Sequence, residues 1–374
     1  MRGSGEQVRR GSGLRASFGI GLVAMALVVG ACSSAKKAAD TAAATDTKAA
    51  DTKAAVTVAG ATDSTAAKAA DTKAADTKAA DTAAAAATSG NKPTIKIVEN
   101  AWTASTIEAE MLKQIIEKNL GNKVEIVKID ENTMYAGLAS GDLDAVAEIW
   151  PSGLNPEKQK FFDDGSVVNM GALGAVGKIG WWVPDYVLTQ HPELASWEGF
   201  KKADLAKLFA TAETGSKGRF LGTDPSYSQY DETIVKNLNL PLQVVFSGSE
   251  PATVAELDSR VAKKEPIIMY WWTPTAAVAK YNLKPVALPA HTKDCYNDKV
   301  KIACDYPEDP LFKAASQKLE TKDAKVFSLI KNMKLTNDQQ LALLPLVEID
   351  KKPATDVVAE WLKANESTWK AWLA

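Results

Sequence analysis

Of the ten tryptophans in this 374-residue chain, six sit at or just past the end of a strand-like pattern. Trp102 follows the alternating stretch 94–99, and Trp150 follows 145–149. The pairs Trp181-Trp182 and Trp271-Trp272 close two further strand-like runs, just before Pro184 and Thr273-Pro274. Tyr227 lies between a strand pattern at 220–223 and a helical one at 228–238. In sheets whose strands alternate with helices, ligands bind outside the carboxyl ends of the strands, which is where these rings fall. Several indoles converging on one cleft suit a cation that cannot donate hydrogen bonds, such as a quaternary ammonium group. Each desolvated cation–π contact can contribute up to ~2 kcal/mol. Trp197, Trp361, Trp369 and Trp372 instead lie in helical patterns and read as core. Adjacent strand residues point to opposite faces, so at most one of each pair faces a cleft. Trp272 is assigned to the site, and Trp182 is balanced between site and core.

The elements that must position these rings alternate along 93–374. Strand patterns occur at 94–99, 124–129, 145–149, 178–182, 220–223, 242–246, 267–271 and 286–288. Helical patterns occur at 196–209, 228–238 and 251–263, and nearly all of the last sixty or so residues read as helix. Ser105 and Glu108 match a capping box ahead of Ile107, Met111, Leu112, Ile115 and Ile116, which share one helical face. This alternation predicts an α/β fold with mostly parallel sheets. The stretch is long for one doubly wound sheet, so two α/β lobes with a ligand cleft between them are expected. Lobe 1 is placed at about 93–183 and 290–374, and lobe 2 at about 184–289.

Inventory excludes several other chemistries. A net charge of −2 gives no electrostatic case for nucleic acid or an anionic membrane surface. With only His191 and His291 present, a histidine-built metal site or a Ser-His-Asp triad is excluded, and no metal or cofactor is expected. Asp142 with Asp144, and Asp163 with Asp164, sit in polar turns, and no Gly-x-Ser-x-Gly motif occurs. An enzyme is therefore not expected.

The three cysteines point outside the cytoplasm. Residues 1–31 combine Arg2, Arg9, Arg10 and Arg15 with a thirteen-residue apolar run at 18–30. That run rises only ~20 Å as a helix, too short for a ~30 Å hydrocarbon core, and reads as a signal peptide. Small residues leading directly to Cys32 look like a lipobox, which implies lipid on Cys32 and anchoring at the outer face of the cytoplasmic membrane; an ordinary signal peptide is the alternative. Residues 32–92 are mostly Ala, Lys, Asp and Thr with Ala-Ala-Asp-Thr-Lys recurring, and read as a disordered tether. Cys295 and Cys304, nine apart, are expected to form a disulfide; a metal site there would have only His291 to add.

Four motifs taken together resemble the glycine betaine/proline betaine binding proteins of ABC importers. They are Gly-Asp-Leu-Asp-Ala-Val-Ala-Glu-Ile-Trp150-Pro-Ser-Gly, Gly-Lys-Ile-Gly-Trp-Trp182-Val-Pro, Asp-Pro-Ser-Tyr227 and Tyr-Trp-Trp272-Thr-Pro. Ala-Trp102-Thr-Ala-Ser resembles the first-loop segment of that family, and the likeness covers essentially all of 93–374. The resemblance implies a two-lobed periplasmic binding protein fold of type II, with the ligand in an aromatic box. It places Trp150, Tyr227 and Trp272 on box positions; many members have tryptophan where this chain has Tyr227. Some members add a histidine near the Trp-Pro motif for the ligand carboxylate, whereas 151–155 here reads Pro-Ser-Gly-Leu-Asn. The backbone N–H groups of Tyr227 and Ser228, at the start of the expected helix, are candidate donors instead. Ser105 and Thr106 could also serve, or Ser105 could simply cap its own helix. The function implied is a monomeric, lipid-anchored substrate-binding component that captures glycine betaine or a similar zwitterion for an ABC permease and its ATPase. The alternatives are a sensory or adhesive lipoprotein, or a choline-processing enzyme on the same fold.

Overall fold

A computed structural model describes residues 92–374. The expectations for the signal peptide, for lipid on Cys32 and for the tether lie outside the described residues. Nine strands form one mixed sheet: β1 Ile95–Glu99, β2 Val124–Lys128, β3 Ala145–Ile149, β4 Val167–Pro184, β5 Gly218–Gly222, β6 Leu242–Phe246, β7 Ile268–Thr273, β8 Leu283–Val286 and β9 Glu308–Ser316. Their order is β2-β1-β3-β9-β4-β7-β5-β6, with β8 added against β4. β1 pairs in parallel with β2 and β3, and β5 in parallel with β6 and β7. These two parallel groups are the cores of two lobes, as the α/β alternation requires.

The long strands β4 and β9 join the lobes. β4 pairs antiparallel with β9 from Val167 to Lys178, and with β7 from Lys178 to Trp182. β4 thus changes partner from β9 to β7 at Lys178. The residues ahead of Lys178 were missed as a strand because Gly171, Gly174 and Gly177 interrupt them, and glycine is depleted in strands. Gly174 has φ +118, and a Cβ there would stand 3.2 Å from the Leu335 carbonyl oxygen, so the close approach needs glycine.

Three local expectations are corrected. The helix Thr103–Ile115 starts two residues before Ser105, so no Ser105/Glu108 capping box forms; the Ser105 hydroxyl accepts the Asn100 N–H at 2.9 Å instead. The stretch 196–209 is not one helix but a 3₁₀ turn, Trp197–Lys201, and a short helix, Ala203–Lys207. Gly199 there sits so close to the Glu193 carbonyl that a Cβ would be 2.1 Å away. The helix expected at 228–238 begins only at Asp231, because Ser228 and Tyr230 give their N–H groups to Glu131 and Tyr306. Trp361, Trp369 and Trp372 are buried, as their helical spacing implied. Cys295 and Cys304 are joined by a disulfide.

Buried carboxyls bridge the lobes. Glu250, first residue of the helix Glu250–Lys263 in lobe 2, accepts the N–H of Thr103 at 2.9 Å and its hydroxyl at 3.0 Å. It thereby caps a lobe 1 helix that has no cap of its own. Glu348, at the end of the lobe 1 helix Asn337–Glu348, accepts the Ala276 N–H at 2.9 Å at the start of a lobe 2 helix. Burial pushes Glu250 up to about 7, and burial together with the Glu250 charge pushes Glu348 up to about 8, from an ordinary value of 4.5.

Both groups therefore keep their protons in the folded protein at pH values where the unfolded chain has lost them. Stability from this source is present below about pH 4.5 and is lost as pH rises through 7 to 8. The melting temperature should fall by several degrees between about pH 5 and pH 8, and Glu250→Gln or Glu348→Gln should flatten the fall. A wild-type melting temperature that rises steadily across this window would contradict the assignment.

Candidate functional site

The loops after β1, β2, β3 and β5 converge on one cavity with β4 and β7. It is lined by Trp102, Glu131, Trp150, Ser152, Gly153, Ile179, Tyr227, Ser228, Tyr270 and Trp272. The space between atoms there is about 350 Å³, counting the part open to solvent.

Lobe 1 contributes Trp102, which precedes the helix Thr103–Ile115, and Trp150, which precedes a 3₁₀ turn at Pro151–Gly153. Both indoles donate their N–H to the same oxygen, Glu148 Oε1, at 2.7 Å each. The Trp150 ring lies against β4 at Gly177, where a Cβ would come within 2.2 Å of it. Lobe 2 contributes Tyr227, from the loop after β5, and Tyr270 and Trp272 from β7. Tyr227 meets Trp102 edge-on across the cleft, with centroids 5.6 Å apart and planes at 86°. It meets Trp272 at 5.8 Å and 80°. The Tyr227 hydroxyl donates to the Ala101 carbonyl of lobe 1, which leaves its ring face to the cavity. Burial raises that hydroxyl's pKa well above the ordinary value, so it stays protonated.

The adjacent pairs divide as strand geometry requires. Trp272 lines the cavity, while Trp271 is fully buried with its indole N–H on Thr275 Oγ1 at 2.8 Å. Trp181 is also fully buried and donates to Asp231 at 2.6 Å. Trp182 does not line the cavity; its N–H donates to the Trp271 carbonyl at 3.1 Å, so the structure places it in the core.

The polar wall differs from expectation. Ser228 lines the cavity, but its N–H donates to Glu131 Oε1 at 2.8 Å and its hydroxyl donates to the same oxygen. The Tyr227 N–H is taken by the Asp224 carbonyl at 3.0 Å. Neither N–H is free for a ligand carboxylate, and Ser105 and Thr106 do not line the cavity. Glu131 itself does. Burial raises its pKa, while Lys158, 3.8 Å away, and Ser228 pull it back. Ser152 is anchored by Asp309 on β9, through its N–H at 2.6 Å and its hydroxyl at 2.7 Å.

Sequence reasoning missed Glu131, Ser152, Gly153, Ile179 and Tyr270. Glu131 could have been found, since it follows the carboxyl end of a parallel strand; Ile179 and Tyr270 sit inside strands and carry no such sign. His291, Cys295 and Cys304 come together near the cleft. The two sulfurs are bonded to each other, so they offer no thiolates for a metal.

Residues 93–364 match the family model described as the substrate-binding domain of ABC-type glycine betaine transport systems. A trimethylamine N-oxide-binding protein of Pelagibacter ubique (strain HTCC1062) is 27% identical over 289 residues, covering 76% of this chain and 91% of that protein. A glycine betaine/proline betaine-binding periplasmic protein of Salmonella typhimurium is 22% identical, covering 77% and 92%. In structure, lactococcal OpuAC in its closed, glycine betaine-liganded conformation aligns with a TM-score of 0.60 at 18% identity, over 76% of this chain and all of that one. That likeness establishes the two-lobed fold. With the family model covering nearly all of the described residues, this chain belongs to the substrate-binding domains of ABC-type glycine betaine transport systems, a family of binding components and not of enzymes.

Proposed function

We propose that this protein captures, outside the cytoplasm, a small compound with a trimethylated cationic nitrogen, and presents it to an ABC permease and its ATPase for osmoprotectant uptake. Glycine betaine is the first candidate. The observation that carries this reading is the cavity walled by Trp102, Trp150, Tyr227 and Trp272. A trimethylammonium head spreads its charge over methyl groups and offers no hydrogen-bond donor. Aromatic faces suit it because desolvating it costs little and the ring quadrupoles attract it.

Glu131 favours a second candidate for the same walls. The N–H groups expected to hold a ligand carboxylate are occupied, and a carboxyl group faces the cavity in their place. A carboxylate ligand meets repulsion from an ionised Glu131, whereas a compact oxygen that can share a proton with it does not. Trimethylamine N-oxide has such an oxygen, and the Pelagibacter relative is named for binding it.

The lipobox-like run before Cys32 supports anchoring of the mature protein by lipid at the outer face of the cytoplasmic membrane. A monomer would suffice for delivery.

Replacing Trp150, Tyr227 or Trp272 by alanine should weaken binding of the cation about five- to thirtyfold, at ~1–2 kcal/mol per ring. Leucine should cost nearly as much as alanine, because it keeps bulk without the quadrupole. Calorimetry decides: leucine variants that bind like wild type, or glycine competing as well as glycine betaine, would remove the aromatic box. For the polar end, Glu131→Gln should improve glycine betaine binding relative to trimethylamine N-oxide by roughly tenfold; an unchanged ratio would exclude Glu131 from ligand choice. For the anchor, wild type should partition into detergent and Cys32→Ala should not be lipidated. A free Cys32 thiol on mature wild type, seen by mass spectrometry, would refute it.

A further inference from the structure

Behind the indole wall of the cavity lie two carboxyls that touch no part of it, Glu108 on the helix Thr103–Ile115 and Glu148 on β3. They are 0% and 1% exposed. Three donors converge on Glu148: the indole N–H groups of Trp102 and Trp150 at 2.7 Å on Oε1, and the Gln340 amide at 3.3 Å on Oε2. Glu108 receives only that amide, at 2.7 Å on Oε1, and its Oε2 has no hydrogen-bond partner. Two carboxylates this close in an apolar setting cannot both be ionised. Burial raises Glu148 as well, but its donors pull it back, so the charge is better held there than on Glu108. The proton belongs on Glu108, which burial and the Glu148 charge push well above the ordinary carboxylate range.

We propose that the Glu108–Glu148 pair is a positioning and selectivity device: one buried negative charge, held against the N–H edges of two cavity-lining indoles, that makes the cavity prefer a cation over a neutral molecule of the same shape. The geometry serves this in two ways. A single oxygen accepting from both indoles fixes the angle between the Trp102 and Trp150 walls. A carboxylate on the N–H edge also polarises each ring so that electron density moves toward its face, the side that attracts a cation. Glu131 and Glu250, two more carboxyls that burial raises, stand near the same aromatic wall. Lys313, whose Nζ donates to the carbonyls of Ala172 and Met333 at 2.9 and 2.7 Å, is an opposing charge felt by Glu108. A pair kept only to fill and rigidify the core would support any ligand of the right shape equally.

The inference rests on the cationic reading of the cavity, and its test separates the two. Calorimetry compares choline with 3,3-dimethylbutan-1-ol, and trimethylamine N-oxide with tert-butanol; within each pair the second molecule is uncharged, a quaternary carbon replacing the charged nitrogen. Glu148→Gln retains an acceptor for both indoles, but the charge could then settle on Glu108. The Glu108→Gln, Glu148→Gln double variant is therefore decisive. For the cation that wild type binds, the double variant should bind roughly tenfold more weakly, while affinity for the carbon isostere changes less than about twofold. Equal losses for cation and isostere, or an unchanged preference for the cation, would overturn the proposal. Wild-type protein that binds each cation no better than its isostere would defeat the cationic reading itself, and this inference with it.

Discussion

A carboxylate taken out of water must be given donors or a proton, and much of the architecture around the cleft follows from that requirement. Glu148 takes the indole N–H groups of Trp102 and Trp150, Asp309 takes both donors of Ser152, and Asp231 takes the indole of Trp181. Glu131 takes Ser228, and Glu250 takes Thr103. Apart from Asp231, which holds a core indole, each acid orients a cavity residue or ties one lobe to the other. The donors they occupy are thereby withdrawn from any ligand, which leaves rings as the main free surface of the cavity.

The same acids couple the site to closure. Glu131 and Glu250 find their partners in the opposite lobe, and the Tyr227 hydroxyl reaches the backbone of lobe 1 at Ala101. Opening the cleft would break these contacts and return the carboxyls to water, where they would ionise more readily. The crossing strands hold the cavity floor: Gly177 on β4 admits the Trp150 ring, and Asp309 on β9 fixes the turn that follows it. A cavity wall is thus built on the segments that any relative motion of the lobes must flex.

Membership of the family narrows the ligand class without choosing a ligand. Related chains are named for trimethylamine N-oxide and for glycine betaine or proline betaine, compounds that share an alkylated cationic nitrogen and differ at the polar end. In this chain the polar end of the cavity carries Glu131 beside Lys158 and Ser228. Under the function proposed above, discrimination is a matter of charge at that corner, and capture of the shared nitrogen a matter of the rings.

The alternation of strand and helix, and tryptophans at strand ends, were legible because they are local: periodicity of two or 3.6 and residue type decide them. That sufficed for the α/β class, for Trp102, Trp150, Tyr227 and Trp272 at one cavity, and for Trp361, Trp369 and Trp372 in the core, though not for Trp197, which is only half-buried. The glycine-interrupted first part of β4 was not legible, since glycine lowers strand propensity and only pairing with β9 stabilises it there. The helix starts at 103 and 231 were not legible either, because Glu250, Glu131 and Tyr306 supply their contacts from far along the chain. Nor could spacing reveal that Ser228 gives its N–H to Glu131, or that two indoles share Glu148. Such contacts join residues distant in sequence, and which donor a buried acid takes is decided only when the lobes come together.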